Sequence, residues 1–408
     1  MATVRIPPVL RPKTEGEGEV EAPGTTVGEV LEALSGAHPD TRGQLFSEDG
    51  ELNRYVNVYL NDEDVRVLDG LETAVADPDT VVILPAMAGG SLKRTVASRL
   101  RESKATWVAH NLIHYRSLRR NARHYKQLEI EKPLVGSIAH RDIGRHSGEV
   151  PWLDRADAAE RLAASAQAES FPAEIRSKLE GWIEDGYLVL EGHLSRDEVE
   201  EVNSDLERQF EQGRIKYHPL GKRVVNAFEH SEPVRRAVTD PELTRLLSFI
   251  LGREVNLFQT IDFFVGSEQA AHSDSFHMTT EPMGYLIAIW VALEDVDPES
   301  GPVYYYPGSH KLPYVMTEDL GEADGDLGGG KEARYAERIR SLIADRDLEP
   351  IEFTAKAGDV LIWHANLLHG GRGIARDGAT RKSLVAHYFG SGVLCYHEVT
   401  ERPALVRA

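Results

Sequence analysis

Cysteine is almost missing from this chain. Cys395 is the only one in 408 residues, so no internal disulfide can hold the fold and a buried core must do so. Long apolar runs are missing too: no stretch is long enough to span a bilayer, and the N-terminal segment lacks the apolar block of a signal peptide. Together these absences predict a protein of the reducing cytoplasm with no membrane partner. Basic residues are in deficit, 46 Lys and Arg against 66 Asp and Glu, and the net charge of −20 argues against nonspecific binding to nucleic acid. What is present, 41% hydrophobic residues over 408 positions, is enough for two or three globular domains.

The charge is unevenly distributed. Residues 1–90 carry 17 acids and 6 bases, whereas residues 91–130 carry 10 bases and 2 acids, and this reversal places a boundary near Gly90. Before it, Thr3 to Ile6 and Glu17 to Glu21 read as strands, and Thr26 caps a helix through Val27, Val30, Leu31 and Leu34. Tyr55 to Leu60 and Thr80 to Leu84 alternate as two further strands. Strand, strand, helix, strand, strand is the order of a ubiquitin-like β-grasp domain.

Two stretches, Asn57-Val58-Tyr59-Leu60-Asn61-Asp62-Glu63-Asp64-Val65-Arg66 and Asp79-Thr80-Val81-Val82-Ile83-Leu84-Pro85, precede a Gly89-Gly90 end. The segment resembles the ThiS/MoaD sulfur-carrier family in its CysO-like branch, and the likeness covers all of residues 1–90. That resemblance implies a terminal glycine carboxylate that an adenylating enzyme activates and that is then converted to a thiocarboxylate. Glycines suit such a tail, because a chain without side chains can thread a narrow active site. Here Gly90 is followed by Ser91, so loading would require cleavage after Gly90, for which a JAMM-type protease is the implied partner. Otherwise Gly89-Gly90 serves as a hinge between domains.

Residues 91–170 read as a basic helical connector. Lys93, Arg94, Arg99, Arg101, Lys104, Arg116, Arg119, Arg120, Arg123 and Lys126 alternate with Val96, Leu100, Val108, Leu112 and Leu118 near helical spacing, which predicts packed helices with a solvated basic face. A bound polyanion and electrostatic docking on the acidic first domain are the competing readings. His140-Arg141-Asp142 lies among glycines and reads as a loop coincidence.

From residue 171 to the end the pattern turns predominantly β. A helix near Pro172 to Glu184 precedes the strand-like Gly186 to Gly192, and Ser195 with Glu198 forms a capping box for a helix reaching about Gln212. Pro241 to Leu251 reads as a helix; Val255 to Phe264, Gly284 to Leu293, Val303 to Tyr306, Asp359 to Trp363 and Ser383 to Phe389 read as strands. Strands around a small polar centre predict a double-stranded β-helix, a cupin-like jelly roll with flanking helices, so the whole chain is an α+β multidomain protein.

That polar centre is the most informative pattern. His272-Ser273-Asp274, a histidine about 95 residues on, and Arg381-Lys382-Ser383 supply the two imidazoles and one carboxylate of a non-haem Fe(II) site plus a carboxylate-binding guanidinium. If the segment is a strand, His272 and Asp274 share a face. His364 and His369 both offer the second imidazole. Arg381 can form two parallel hydrogen bonds to a carboxylate, and Ser383 lies on the same strand face.

Five pieces in order resemble the phytanoyl-CoA dioxygenase family of Fe(II)/2-oxoglutarate oxygenases. They are Gly186 to Leu190, His272-Ser273-Asp274, Gly301-Pro302-Val303-Tyr304-Tyr305-Tyr306-Pro307-Gly308-Ser309-His310, Gly358 to His364, and Arg381-Lys382-Ser383. The resemblance implies His272, Asp274 and His369 as ligands of Fe(2+), because the family's ligand sits in the Leu-Leu-His-Gly context about 12 residues before the arginine. It implies Arg381 and Ser383 on 2-oxoglutarate, with Trp290 bordering the cosubstrate or simply filling core. Dioxygen is the co-oxidant and ascorbate a helpful reductant. Asp274 favours hydroxylation over halogenation, since halogenases of this class lack the carboxylate. His277 and His310 read as structural or substrate-facing, and Lys222 and Arg223 as meeting an anionic group or solvent. The Gly-rich insertion from Gly321 to Gly330, before a helix from about Ala333 to Ala344, reads as a substrate lid or a surface excursion. Three function classes follow: an oxygenase of a small-molecule metabolite fused to a sulfur-carrier-like domain, a precursor of a released sulfur carrier, and a non-catalytic scaffold.

Overall fold

In the computed structural model the chain is described at residues 2–6, 13–15, 17–47, 50–53, 56–61, 63–65, 70–77, 79–85, 111–217, 223–321, 329–376 and 378–403. Gly89 and Gly90, the basic residues from Lys93 to Lys104, and Lys222 lie outside the described residues. Two compact units are present, the smaller including the described residues up to Pro85 and the larger those from Asn111 onward.

In the smaller unit the alternating segments become β1 (Ala2–Arg5), β2 (Glu19–Ala22), β3 (Val56–Leu60), β4 (Glu63–Asp64) and β5 (Thr80–Pro85). Their order is β2-β1-β5-β3-β4, with β1 parallel to β5 and the other pairs antiparallel. The helix Val27–Ala37 starts where the Thr26 side chain accepts from the Glu29 backbone N–H. It buries Val27, Val30, Leu31 and Leu34 against Val4, Val58, Val81 and Ile83. This is a ubiquitin fold.

The larger unit contributes β6 (Tyr187–Leu190), β7 (Arg223–Val225), β8 (Val255–Phe263), β9 (Thr279–Glu281), β10 (Leu286–Ala292), β11 (Val303–Tyr305), β12 (Ile351–Phe353), β13 (Val360–His364), β14 (His369–Gly371), β15 (Ser383–Gly390), β16 (Leu394–His397) and β17 (Arg402–Pro403). They form one six-stranded antiparallel sheet, β6-β13-β10-β15-β8-β7, and two three-stranded ones, β12-β11-β14 and β17-β16-β9. Every residue of β10 is buried, which is why it reads as a continuous apolar run. Ile287, Ile289 and Val291 pack with Leu243, Leu247 and Ile250 of the helix Pro241–Leu251. Ala288, Trp290 and Ala292 face the other way, toward Val303 and Tyr305 of the smaller sheet, and the polar site lies on this second face.

The capping box at Ser195 and Glu198 forms as its spacing predicts and starts the helix Arg196–Glu211. The connector differs from expectation. Its described part from Asn111 to Gln127 contains short helical pieces, Tyr115–Leu118 and Ala122–Gln127, joined by a 3-10 turn, so helical spacing does not bury Leu112, which is 59% exposed. Leu118 and Tyr125 are buried, while Arg116, Arg119, Arg120, Arg123 and Lys126 face solvent. Tyr125, Leu128, Ile130, Ile138 and Ile143 pack on Leu394 and Tyr396. No helix among the described residues is long and apolar enough to cross a membrane.

Gly186 ends the helix Ala173–Asp185 at φ +76°, and a Cβ there would lie 2.3 Å from His310 Nδ1. Gly186→Ala therefore combines left-handed backbone strain with a clash against a buried ring. A loss of roughly 2–4 kcal/mol is expected in urea unfolding, and a change under about 0.5 kcal/mol would contradict this packing.

Candidate metal centre

Two histidines 97 positions apart meet because their backbones pair. His272 N–H donates to the His369 carbonyl and His369 N–H to the His272 carbonyl, both at 2.9 Å, in an isolated antiparallel bridge. Residues so paired project their side chains to one face of the sheet, and here the imidazole centroids are 4.4 Å apart. Asp274 arrives differently from the strand reading. His272 and Ser273 remain extended, but Asp274 opens the short helix Asp274–His277, so the turn rather than strand alternation brings its carboxylate to the imidazoles. One ligand atom from each of His272, Asp274 and His369 lies within 4.8 Å of the other two, and all three side chains are buried.

The hydrogen bonds leave the donor atoms a cation needs. The Nδ1–H groups of His272 and His369 each donate at 3.0 Å to a carbonyl two residues back, Ala270 and Leu367, which fixes the tautomer and leaves Nε2 with its lone pair. These Nε2 atoms lie 4.0 and 3.7 Å from Asp274 Oδ1. Asp274 Oδ2 is occupied, accepting from Trp363 Nε1 at 2.8 Å with His387 Nε2 at 3.5 Å, so Oδ1 is the oxygen that remains. Burial, reinforced by His369, pushes His272 down to about 3, so its ring is neutral near pH 7. Burial opposes ionisation of Asp274, but the His369 and His387 imidazoles outweigh it and hold the carboxyl well below the usual range. Two imidazole Nε2 atoms and one carboxylate with an uncommitted oxygen fit a ferrous ion.

His364 is not in this cluster. Its Nε2 lies 3.1 Å from Asp154 Oδ2 and its Nδ1 accepts from Asn366 N at 3.0 Å, so both nitrogens are committed. His310 stands beside it, at 5.5 Å between centroids, and burial pushes it down to about 3. His277 lies 5.5 Å from His272 by the same measure and burial pushes it down to about 4.

Arg381 is only 1% exposed, and its Nε and Nη1 have no hydrogen-bond partner among the described residues. The Ser383 hydroxyl and the Trp290 indole N–H are likewise buried and unpartnered, and the guanidinium carbon lies 5.8 Å from the centroid of the Trp290 ring. Burial pushes Arg381 down to about 10, which still leaves it cationic at neutral pH. A buried cation without an anion costs several kcal/mol, so this group of donors calls for a carboxylate ligand.

Three residues here were not singled out from sequence. Trp363 and His387 both pair with Ala288, and the small side chain between them leaves room for the pair to hold Asp274. Tyr335 comes from the insertion, whose helix Gly329–Asp345 begins earlier than its polarity suggests. Its hydroxyl accepts from Ser273 N at 2.8 Å and meets Ser273 Oγ at 3.0 Å, while its ring stacks on Phe276 at 3.7 Å. This helix is therefore packed against the turn that carries Asp274; residues 322–328 of the insertion are outside the described residues. Tyr335→Phe removes the acceptor of a buried N–H in that turn. Iron affinity is expected to fall roughly 10–100-fold with the near-UV circular dichroism unchanged, and an unaltered affinity would show that the contact does not orient Asp274.

The sequence model of the phytanoyl-CoA dioxygenase (PhyH) family matches residues 182–383, and that of the ThiS family matches residues 4–90. The sulfur carrier protein CysO of Mycobacterium tuberculosis is 50% identical over 90 residues, 22% of this chain and 97% of the carrier. Phytanoyl-CoA dioxygenase domain-containing protein 1 of Bos taurus is 28% identical over 188 residues, covering 33% of this chain and 65% of its own. Ectoine dioxygenase of Sphingopyxis alaskensis is 28% identical over 211 residues, covering 46% and 67% respectively.

Proposed function

Because this chain joins a ThiS-family domain to a phytanoyl-CoA dioxygenase-family domain, we propose that it is an Fe(II)/2-oxoglutarate-dependent oxygenase that hydroxylates or otherwise oxidises a small-molecule metabolite, in secondary or sulfur metabolism. The observation that carries this reading is the pairing of a two-histidine, one-carboxylate cluster with the buried guanidinium of Arg381, whose Nε and Nη1 have no partner among the described residues. In this reading His272, Asp274 and His369 hold iron, Arg381 and Ser383 bind the distal carboxylate of 2-oxoglutarate, and Trp290 borders it. Ferrous iron and 2-oxoglutarate, when bound, supply dioxygen activation and oxidation of an unactivated C–H bond, with succinate and carbon dioxide as co-products. The protein's part is to orient and to exclude water. Trp363 and His387 hold one Asp274 oxygen so that the other is presented, the two carbonyls fix the imidazole tautomers, and the Trp290 ring lies 5.8 Å from the Arg381 guanidinium carbon. Presentation of Asp274 favours hydroxylation over halogenation.

The same reading takes the six-stranded sheet and the β12-β11-β14 sheet as the walls of a double-stranded β-helix, supported by the shared packing of Trp290, Val303 and Tyr305. It divides the chain at residues 90 and 170, and places it in a reducing cytoplasm, where the buried Cys395 stays a thiol. Succinate formation from 2-oxoglutarate with ferrous iron, ascorbate and dioxygen tests it. Turnover that a panel of small-molecule metabolites stimulates is expected, and no succinate with any of them would count against an oxygenase.

The likeness to CysO over nearly all of that protein's length favours a second activity of the same chain, sulfur carriage. An adenylating enzyme and a JAMM-type protease would act on the Gly89-Gly90 tail, releasing a carrier that ends at Gly90. Intact-mass analysis from the native host tests this. A fragment ending at Gly90 and a form heavier by roughly 16 Da are expected, and full-length chain under every condition would contradict cleavage.

A further inference from the structure

We propose that His140, His146 and Glu281 form a second divalent-cation site, suited to zinc, that fastens the connector onto the oxygenase fold. One ligand atom from each lies within 4.8 Å of the other two, and the two imidazoles stack at 4.4 Å between centroids.

The argument starts from Glu281. It ends β9, opposite Leu394 of β16, and its side chain is 2% exposed. Oε1 accepts from Ser147 N at 2.8 Å and Oε2 lies 3.1 Å from His146 Nδ1. Among the described residues no lysine or arginine pairs with it, and the His146 imidazole is its side-chain partner. Glu398, fully buried, accepts from the His140 backbone N–H at 2.8 Å and from Thr317 N–H at 3.2 Å, which anchors the turn that carries His140. A buried carboxylate flanked by imidazoles, with no lysine or arginine beside it, is where a divalent ion offsets an otherwise costly charge.

The imidazoles are prepared for that role. Glu318 Oε1 lies 2.7 Å from His140 Nδ1, the arrangement in which a carboxylate fixes the ring and raises the basicity of Nε2. His146 Nδ1 shares its contact with Glu281, and a cation can replace the proton between them. Nitrogen and carboxylate oxygen donors bind zinc at about 2.0–2.2 Å, so the cluster needs a contraction on the order of 1 Å. The half-exposed His146 can supply it by side-chain rotation. His140 sits in the turn His140–Asp142, which Ile138 N–H tethers to the Glu401 carbonyl at 2.9 Å. Glu281 belongs to the β17-β16-β9 sheet, so the ion would join connector and sheet at one point.

The test uses full-length, metal-stripped protein titrated with zinc by calorimetry and elemental analysis. In an Asp274→Ala/His369→Ala background, which disables the other cluster, one equivalent of zinc is expected to bind and to raise the melting temperature. Adding His146→Ala should abolish both effects, and Glu318→Gln should weaken binding roughly 10–100-fold. In the otherwise unaltered chain, His146→Ala should lower zinc content by one equivalent while leaving iron binding intact. Absence of zinc from the Asp274→Ala/His369→Ala protein with native circular dichroism, or unchanged zinc content in His146→Ala, would overturn the proposal.

Discussion

His369→Ala is expected to abolish 2-oxoglutarate turnover and weaken iron binding by more than roughly 100-fold, the upper end of what second-layer changes cost, whereas His364→Ala keeps both. The two histidines flank one buried turn, at the end of β13 and the start of β14, yet their nitrogens have opposite fates. In His369 a carbonyl takes Nδ1–H and Nε2 faces Asp274 at 3.7 Å. In His364 both nitrogens are engaged, by Asp154 and by Asn366 N–H. Loss of His364 leaves that N–H without a partner and costs about 1–3 kcal/mol of stability without removing a ligand. A lower melting temperature with retained iron is its expected signature. Iron loss confined to the His364 variant would reverse the assignment.

Arg381→Met is expected to raise the 2-oxoglutarate concentration needed for half-saturation by more than about 30-fold with the fold intact. Removing one partner of a buried charge pair costs about 2–5 kcal/mol, and each 1.4 kcal/mol is tenfold. The apo protein should not suffer equally, because the guanidinium has two unpartnered nitrogens and its removal relieves a buried charge. Arg381→Met is thus expected to melt at the same or a higher temperature without cosubstrate, while Arg381→Lys should recover little affinity because an ammonium cannot make the planar two-bond contact. An unchanged half-saturation in Arg381→Met would show that the cosubstrate carboxylate lies elsewhere.

Local rules made much of this architecture legible. Thr26 and the Ser195/Glu198 pair start helices where their hydrogen bonds predict, and the alternating or wholly apolar runs of β3, β8, β10, β13 and β15 are strands. What escaped depends on partners far away in sequence. β14 is only His-Gly-Gly, too short for periodicity, and exists because Tyr305 and His272 pair with it. Asp274 reaches its neighbours through a helical turn that alternation does not describe. Trp363 and His387 look like ordinary β-strand residues until both are aligned on Ala288. His140, which sequence context dismisses, gains meaning only from Glu281 and Glu318 folding onto it. Leu112 shows the converse, since apolar spacing promised burial and broken helical turns leave it in solvent.

The convergence of His272, Asp274, His369 and Arg381 is tested most directly by anaerobic titration of the ferrous protein with 2-oxoglutarate, following the visible charge-transfer band that arises when a 2-oxo acid chelates iron. One equivalent of iron should give a saturable band in the unaltered chain, lost in His369→Ala and displaced to far higher 2-oxoglutarate in Arg381→Met. A band of full intensity and unchanged midpoint in both variants would contradict the account.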